Sequence, residues 1–124
     1  MKKLFLVLIF LLVSVGIASA ANINFSWTQN TESDLAGYRI YNSLTSGLYS
    51  YGEENAIAII PVGEGTVTVE DVTDGMKYWV ITAYDTDGNE SLPSNELSIM
   101  LDTSAPTAPQ DFTVTVIVKF PQGE

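Results

Sequence analysis

The stretch from Gly75 to Asp85 constrains the fold more than any other part of the chain. Its sequence, GMKYWVITAYD, is dense in the aromatic and branched residues that are typical of β-strands. Successive side chains of a strand point to opposite faces, so Trp79, Ile81 and Ala83 share one face, and neither face is polar. We therefore predict that this is the central strand of a two-layer sandwich, with Trp79, Ile81 and Ala83 directed inward.

Five further segments have the composition of short strands and are separated by turn residues. They are residues 22–28, 37–43, 56–62, 66–72 and 94–101. No segment after residue 20 shows helical periodicity of useful length. Six short strands at this spacing predict an all-β sandwich or barrel. The predicted core consists of Phe25, Trp27, Tyr38, Ile40, Val69, Trp79, Ile81 and Ala83.

The first twenty residues predict an export signal rather than a part of the sandwich. Lys2 and Lys3 precede an almost wholly apolar run over residues 4–17, and residues 18–20 are the small residues Ala-Ser-Ala. The apolar run is shorter than the about 20 residues that span a bilayer. We predict a helical signal peptide, residues 1–20, which is cleaved after Ala20. The chain would then be secreted, periplasmic or attached to the cell envelope; the alternative is an uncleaved membrane anchor.

Composition excludes several classes of function. The net charge is −10, and loss of Lys2 and Lys3 with the leader would make it −12. Such a surface repels nucleic acid, so we predict no nucleic-acid partner. The chain has no Cys and no His, which excludes thiol nucleophiles, His bases and soft-metal sites. Nothing places two of the fifteen acids on facing strands, and we predict neither catalysis nor a cofactor.

Three motifs, in this order, closely resemble bacterial fibronectin type III domains. They are Phe25-Ser26-Trp27, the run DLAGYRIY at residues 34–41, and the run TAYD at residues 82–85 with GNES at residues 88–91. The resemblance covers about residues 22–101 and implies an immunoglobulin-like sandwich in which Trp27 packs in the core. It also implies an accessory role, because such domains commonly accompany extracellular hydrolases and surface proteins.

The chain departs from that family at two positions. Lys77 stands where family members usually carry a Tyr that hydrogen-bonds back across a corner, and Tyr78 follows one residue later. The family also begins with a strand ahead of the one that contains Trp27, and that strand is missing from its place here. Residues 21–101 would therefore form a domain with one edge strand too few.

The C-terminal residues predict a linker and an additional strand. Residues 102–110 form a Pro-containing linker, and the predicted additional strand, residues 111–124, alternates strongly over residues 111–120. The apolar stripe consists of Phe112, Val114, Val116, Val118 and Phe120. The sequence leaves three hypotheses open. Residues 111–120 complete the sandwich of their own chain, or they are donated to another molecule in self-association. In the third, they form a hairpin on the edge of the last strand or are a remnant of a truncated array.

Two surfaces are candidates for binding a protein or a carbohydrate at a cell or particle surface. One is the outer face of the sheet that contains the central strand, and the other is the Gly-containing loop over residues 44–55. Exposed aromatic rings beside an Arg can stack on a sugar or a partner protein, although cross-strand pairing and local packing explain them equally well. The residues are Arg39, Tyr41, Tyr78 and Tyr84 on the sheet, and Tyr49 and Tyr51 on the loop.

Asp85, Asp87 and Asn89 have the spacing that opens a calcium-binding loop, with Glu90 adjacent and Glu96 at the twelfth position. The Gly that such a loop requires after Asn89 is absent, so a plain turn is favoured over a metal site. The predicted function is that of a secreted, non-catalytic binding, adhesion or spacer module. The alternative is a self-assembling structural subunit that exchanges its C-terminal strand.

Overall fold

A computed structural model describes residues 19–123, which form two antiparallel sheets. The strands are β1 (Ala20–Ser26), β2 (Leu35–Ser43), β3 (Ala58–Pro61), β4 (Thr66–Thr73), β5 (Gly75–Asp85) and β6 (Leu97–Leu101), with a short 3₁₀ turn at Glu53–Asn55. Strands β1 and β4 form one sheet, and the other has the order β3-β2-β5-β6. The predicted all-β sandwich is confirmed. Residues 1–18 of the predicted leader helix lie outside the described residues, whereas its last residue, Ala20, is the first residue of β1. Within residues 19–123, no helix is long and apolar enough to cross a membrane.

Strand β5 has the bounds and the central position that its sequence predicts. It pairs with β2 along most of its length and with β6 at its beginning. Gly75 opens the strand with a φ of 110°, a conformation that residues with a side chain rarely adopt. The chain can therefore turn sharply from β4 into β5 at this residue.

The core lies between the two sheets and is centred on aromatic residues. The rings of Phe25 and Trp79 lie 5.0 Å apart, and those of Trp27 and Tyr38 lie 5.1 Å apart. Such tilted and edge-on pairs add to the free energy gained by burying the rings. The buried cluster consists of Phe25, Tyr38, Ile40, Ile60, Val72 and Trp79. The other residues of the predicted core pack against it while only partly buried; they are Trp27, Val69, Ile81 and Ala83.

The last strand begins later than its sequence pattern predicts, at Leu97 rather than at residue 94. Before Leu97, the β5 amides of Ile81 and Ala83 donate to side-chain oxygens and not to backbone carbonyls, so a regular ladder does not form there. Serine hydroxyls take over part of the pairing with β5. The Ala83 N–H donates to Ser91 Oγ at 2.9 Å, and the Ile81 N–H donates to Ser94 Oγ at 3.1 Å.

Lys77 forms the hydrogen bonds of the corner between β4 and β5. Its ammonium group donates to the backbone oxygens of Thr73 and Asp74, and to Thr73 Oγ1 at 3.2 Å. The family resemblance places a Tyr hydroxyl at this position. A lysine ammonium supplies three donors at the end of a long stem, so it can bond to the same turn without an aromatic ring.

The C-terminal residues do not form the predicted strand. Residues 111–123 pair with no strand of the described chain, and Phe112 is 97% exposed. The tail leaves the sandwich at Thr103, whose backbone N–H and hydroxyl both donate to Asp74 Oδ1, at 3.1 and 2.7 Å. An alternating apolar stripe favours an extended backbone, but a strand also requires a neighbouring edge, and this chain does not place one beside the tail.

The close approach of β2 and β3 generates a prediction about Gly37. A Cβ atom at Gly37 would lie 2.3 Å from the Ile60 carbonyl oxygen, which belongs to the backbone and cannot move aside. We expect Gly37→Ala to lower the free energy of unfolding by about 1–3 kcal/mol, as overpacking does elsewhere. Gly65→Ala is the matched control, because its Cβ would meet the flexible side chain of Gln29 at 3.3 Å. Equal losses for the two variants in urea unfolding would contradict this account of the β2–β3 contact.

Candidate binding surface

The outer face of the four-stranded sheet is covered, which corrects the prediction that it is an exposed binding face. Arg39 is 9% exposed and Tyr41 is 1% exposed, and their partners across the β2–β5 pair, Thr82 and Val80, are also buried. Alternation along β2 and β5 assigned these residues to the correct face. It could not show that a distant loop would cover that face.

The cover is the segment of residues 44–57, which we call the tyrosine loop. The Gly52 N–H donates to the Tyr41 hydroxyl at 3.2 Å, and the Tyr51 ring packs edge-on against the Tyr41 ring with centroids 5.1 Å apart. At its end, the Ile57 N–H donates to the Ile40 carbonyl at 2.7 Å. These contacts hold the loop against β2.

A second attachment joins the tyrosine loop to the segment before β6. The Glu96 carboxylate accepts hydrogen bonds from the Ser46 hydroxyl at 2.6 Å, from the Gly47 N–H at 2.8 Å and from the Tyr49 hydroxyl at 2.6 Å. These donors, with the Ser46 hydroxyl first, lower the pKa of Glu96. Burial and the hydrogen bond to Glu96 raise the pKa of Tyr49. The loop is therefore attached both to β2 and to the segment that precedes β6.

Glu90 is the central anion beneath the tyrosine loop. Its carboxylate accepts hydrogen bonds from Arg39 at 2.9 Å, from the Thr82 hydroxyl at 2.6 Å and from the Tyr41 hydroxyl. Arg39 also lies 4.2 Å above the centre of the Tyr84 ring, a cation–π geometry. A buried arginine requires such partners, because an unpaired charge is costly in the interior.

The pKa shifts in this cluster follow from burial and charge pairing. Burial alone would raise the pKa of Glu90, but the hydrogen bonds from Thr82, Tyr41 and Arg39, with the Arg39 charge, lower it overall. The pKa of Tyr41 is raised by burial and by its bond to Glu90. Glu90 is thus held as an anion, and Tyr41 is held as a neutral donor.

The exposed aromatic rings on this side of the molecule belong to the tyrosine loop. Tyr51 is 42% exposed, and Tyr49 lies beside it, with ring centroids 6.1 Å apart and planes tilted by 36°. Leu44 and Leu48 are exposed on the same loop. Of the other predicted contact residues, Tyr78 and Tyr84 are half-buried on the sheet. Of the six predicted residues, the structure thus leaves Tyr51 the most exposed, with Tyr49 next to it.

The residues with the spacing of a calcium loop do not converge on one point, and a plain turn was the favoured prediction for them. Asp85 Oδ1 accepts from the N–H groups of Asp87 and Asn89 at 2.9 and 2.8 Å, and Asp85 Oδ2 accepts from the Asn89 amide at 2.9 Å. The hydrogen bonds from Asn89 lower the pKa of Asp85. Glu90 and Glu96 are directed to Arg39 and to the tyrosine loop instead. Among residues 19–123, no group of three or more acids is placed to hold a metal ion.

A depression near the end of β5 gathers further carboxylates. It has a volume of about 360 Å³ and is lined by Glu32, Asp34, Asp85 and Glu90, among others. The pKa values of Glu32, Asp85 and Glu90 are all lowered. In Glu32 the cause is a hydrogen bond to backbone. The general acid of a glycosidase needs a raised pKa. The pKa shifts of Glu32, Asp85 and Glu90 have the opposite sign.

A cleft between the two sheets is the second feature of interest. It has a volume of about 250 Å³ and lies between the end of β1 and the beginning of β6; we call it the open cleft. Its main apolar lining consists of Phe25, Trp27, Trp79, Ile81 and Leu97. The indole N–H groups of Trp27 and Trp79 are buried without a hydrogen-bond partner. The larger sheet is therefore incompletely covered along this side.

The positions of Glu90 and Glu96 were not predicted from the sequence. From the sequence, Glu90 and Glu96 were considered only as possible calcium ligands. A signal was available for Glu90, because an Arg in the middle of an otherwise apolar strand must find an anion. The sequence does not show which of the chain's fifteen acids supplies it.

Comparison with known proteins gives partial likenesses. No protein-family model matches the sequence. Over 84 residues, 66% of the chain, it is 35% identical to an amylopullulanase of Thermoanaerobacter thermohydrosulfuricus, and the match spans 5% of that enzyme. The spore cortex lytic enzyme SleM of Clostridium perfringens superposes over 68% of this chain and 25% of its own, with a TM-score of 0.46 and 22% identity. The chain thus corresponds to a small part of each of these proteins.

Removal of the central anion should destabilise the sandwich. Glu90→Ala leaves Arg39 with one distant partner, Glu53, whose carboxylate lies 3.7 Å away and whose side chain is 74% exposed. We expect Glu90→Ala to lower the free energy of unfolding by about 2–4 kcal/mol, near the cost of breaking a buried ion pair. Glu53→Ala removes the exposed partner and should cost less than about 1 kcal/mol. Urea unfolding measures both values, and similar losses for the two variants would contradict the central role of Glu90.

The lowered pKa of Glu90 also predicts a pH dependence. A carboxyl whose pKa is lower in the folded state stabilises the fold above its unfolded pKa of about 4.3. This stabilisation is lost as the pH falls through the folded pKa. The difference in unfolding free energy between the native chain and Glu90→Gln should therefore be largest near neutral pH and shrink in acid. A difference that stays constant from neutral to acidic pH would show that the ionised form of Glu90 contributes nothing.

Proposed function

We propose that this chain is a secreted accessory module of the fibronectin type III type that acts by contact and not by catalysis. The two-sheet sandwich, the motifs around Trp27 and residues 34–41, and the 35% identity to a segment of an amylopullulanase support this proposal. The export pattern of residues 1–20 supports secretion or retention at the cell envelope. A segment that corresponds to 5% of an enzyme suits a binding or spacing role beside a catalytic domain.

The electrostatics of the described carboxyls favour a non-catalytic role. In the depression near the end of β5, the Asp85 and Glu90 oxygens are bonded to donors of their own chain. Their lowered pKa values keep them ionised at neutral pH. Glycoside hydrolysis requires one carboxyl that stays protonated until it donates, and these groups do not have that property.

The tyrosine loop is the surface that we propose for binding, and the single observation that carries this proposal is the exposed Tyr51 ring on a fixed loop. A flat aromatic face can pack against the apolar face of a sugar, and a preformed loop loses little conformational entropy on binding. The strong negative charge of the chain disfavours polyanions. A neutral polysaccharide is therefore the favoured ligand class, in keeping with the substrate named in amylopullulanase.

A binding experiment with the full chain tests this proposal. Pullulan and starch are the probes, immobilised for a pull-down and dissolved for affinity electrophoresis. We expect the native chain to bind and Tyr51→Ala to lose about five- to tenfold in affinity, since one aromatic stacking contact is worth about 1–1.5 kcal/mol. Tyr51→Phe is the matched control, because it keeps the ring and should keep the binding.

Two results would contradict the proposed contact. One is the absence of binding to either polysaccharide by the native chain. The other is equal binding by native chain and Tyr51→Ala, which would place any contact elsewhere. Thermal unfolding of each variant shows whether a loss of binding reflects a loss of the ring or a loss of the fold.

A further inference from the structure

The two sheets differ in size, and the smaller sheet leaves part of the larger one uncovered. Within residues 19–123, β1 has β4 on one side and no strand on the other. The open cleft lies along this side. Leu97 of β6, which lines it, is 45% exposed although the alternation of β6 directs it inward. The outer edge of β1 and the apolar cleft together have the features of a place for one more strand.

The same chain carries an unpartnered strand-like segment. In residues 111–120, alternate positions form an apolar stripe whose side chains are all between 64% and 97% exposed. The stripe consists of Phe112, Val114, Val116, Val118 and Phe120. The opposite face has Thr113 and Thr115 at its beginning. A segment of this kind has one apolar face and one mixed face. Its apolar face becomes buried when the segment adds as a strand to an existing sheet.

The linker is too short for the chain's own tail to pair with β1 in the favoured antiparallel direction. Thr103 is held at Asp74, which directly follows Thr73, the partner of Ala20 in the β1–β4 register, so the tail departs beside the beginning of β1. An antiparallel neighbour must start at the opposite end of β1, near Ser26, about 20 Å away. Residues 104–110 span about 23 Å when fully extended, which leaves almost nothing for the sideways crossing and the reversal.

We propose that residues 111–120 of a second copy of this chain add a strand to the outer edge of β1 and place their apolar stripe in the open cleft. Each copy is then both a donor, through its tail, and an acceptor, through β1. The donor and acceptor surfaces are different, so the contact can repeat from copy to copy in a head-to-tail series. This proposal depends on the tail and the open cleft and is independent of the tyrosine loop.

Charge adds a condition to the proposed association. Each copy carries a net charge of −10, whereas residues 111–120 contain one acid, Asp111, and one base, Lys119. The donated segment is therefore neutral, but the two bodies that it joins repel each other. Added salt screens this repulsion, so association should strengthen as the ionic strength rises.

Sedimentation velocity of the full chain over a range of concentrations tests the proposal. We expect dimers or longer multimers whose proportion rises with protein concentration and with salt. The double variant Val114→Arg, Val116→Arg places two charges on the apolar stripe and should weaken association at least about tenfold, because those charges would enter an apolar cleft. The control is Thr113→Arg, Thr115→Arg, which adds the same charge to the opposite face of the same segment and should still associate.

The variants lie on exposed tail positions, so a change in association does not reflect misfolding of the sandwich. Three results would overturn the proposal. The native chain could be a monomer at all concentrations and salt levels. Both double variants could lose association equally, which would indicate non-specific contact of the tail. A monomer whose residues 111–120 are protected from hydrogen exchange would show that the tail docks on its own chain.

A peptide experiment gives an independent reading from the acceptor side. The full-length Val114→Arg, Val116→Arg chain donates its tail at least about tenfold more weakly, so its cleft is available to a synthetic peptide of residues 110–122. The chain has two tryptophans, and both line the open cleft, so their fluorescence reports directly on its occupation. We expect a saturable change with this peptide and none with a peptide that carries the two Arg substitutions. Equal responses to the two peptides, or no response to either, would overturn the proposed site.

Discussion

The Glu90 carboxylate is the interaction on which the outer half of this structure depends. Arg39, Tyr41 and Thr82 point away from the core between the sheets, and a sheet face with this composition would ordinarily meet water. Glu90 accepts a hydrogen bond from each of these three residues. Because the hydroxyl of Tyr41 also accepts from Gly52, the same cluster fixes the tyrosine loop above it. The central strands β2 and β5 are therefore buried on both faces, although only one face packs against another sheet.

This arrangement explains why an exposed tyrosine can serve as a fixed contact. Glu96 holds the beginning of the tyrosine loop, and Tyr41 holds its middle. Tyr51 packs on Tyr41 with one side of its ring and leaves the remainder to solvent. The loop behaves as a third layer, held mainly by polar groups. The inner side differs, since within residues 19–123 the smaller sheet consists of β1 and β4, and the open cleft lies between the end of β1 and the beginning of β6.

The sequence was sufficient to predict the central strand, the sandwich and most of the core. The bounds of β5 follow from its own composition, and the inward direction of Trp79 follows from alternation. Alternation also assigns Arg39 and Tyr41 to the opposite face, but a period of two cannot show whether a face is covered. That outcome depends on Glu90, 51 residues away from Arg39 in the chain. Long-range partner choice of this kind is set by the fold and is not encoded in any local pattern.

Two further differences between the sequence-based predictions and the structure have specific physical causes. The resemblance predicted from the sequence implies a Tyr hydroxyl where this chain has Lys77, and in the structure the Lys77 ammonium donates to the backbone of the corner between β4 and β5. Residues 111–120 have every local feature of a strand and form none, because pairing requires a second edge as well as propensity. The sequence therefore predicts the capacity for a strand, whereas the structure shows that this single chain does not use it.

Native-state hydrogen exchange of the tyrosine loop tests this account most directly. The informative amides are those of Gly47, Gly52 and Ile57, which donate to Glu96, Tyr41 and Ile40 respectively. If the loop is a fixed third layer, these amides exchange at least about 100-fold more slowly than in an unstructured chain. Exchange at the unprotected rate, while the amides of β2 and β5 remain protected, would show that the outer face of the sheet is not covered by a fixed loop and would contradict the account.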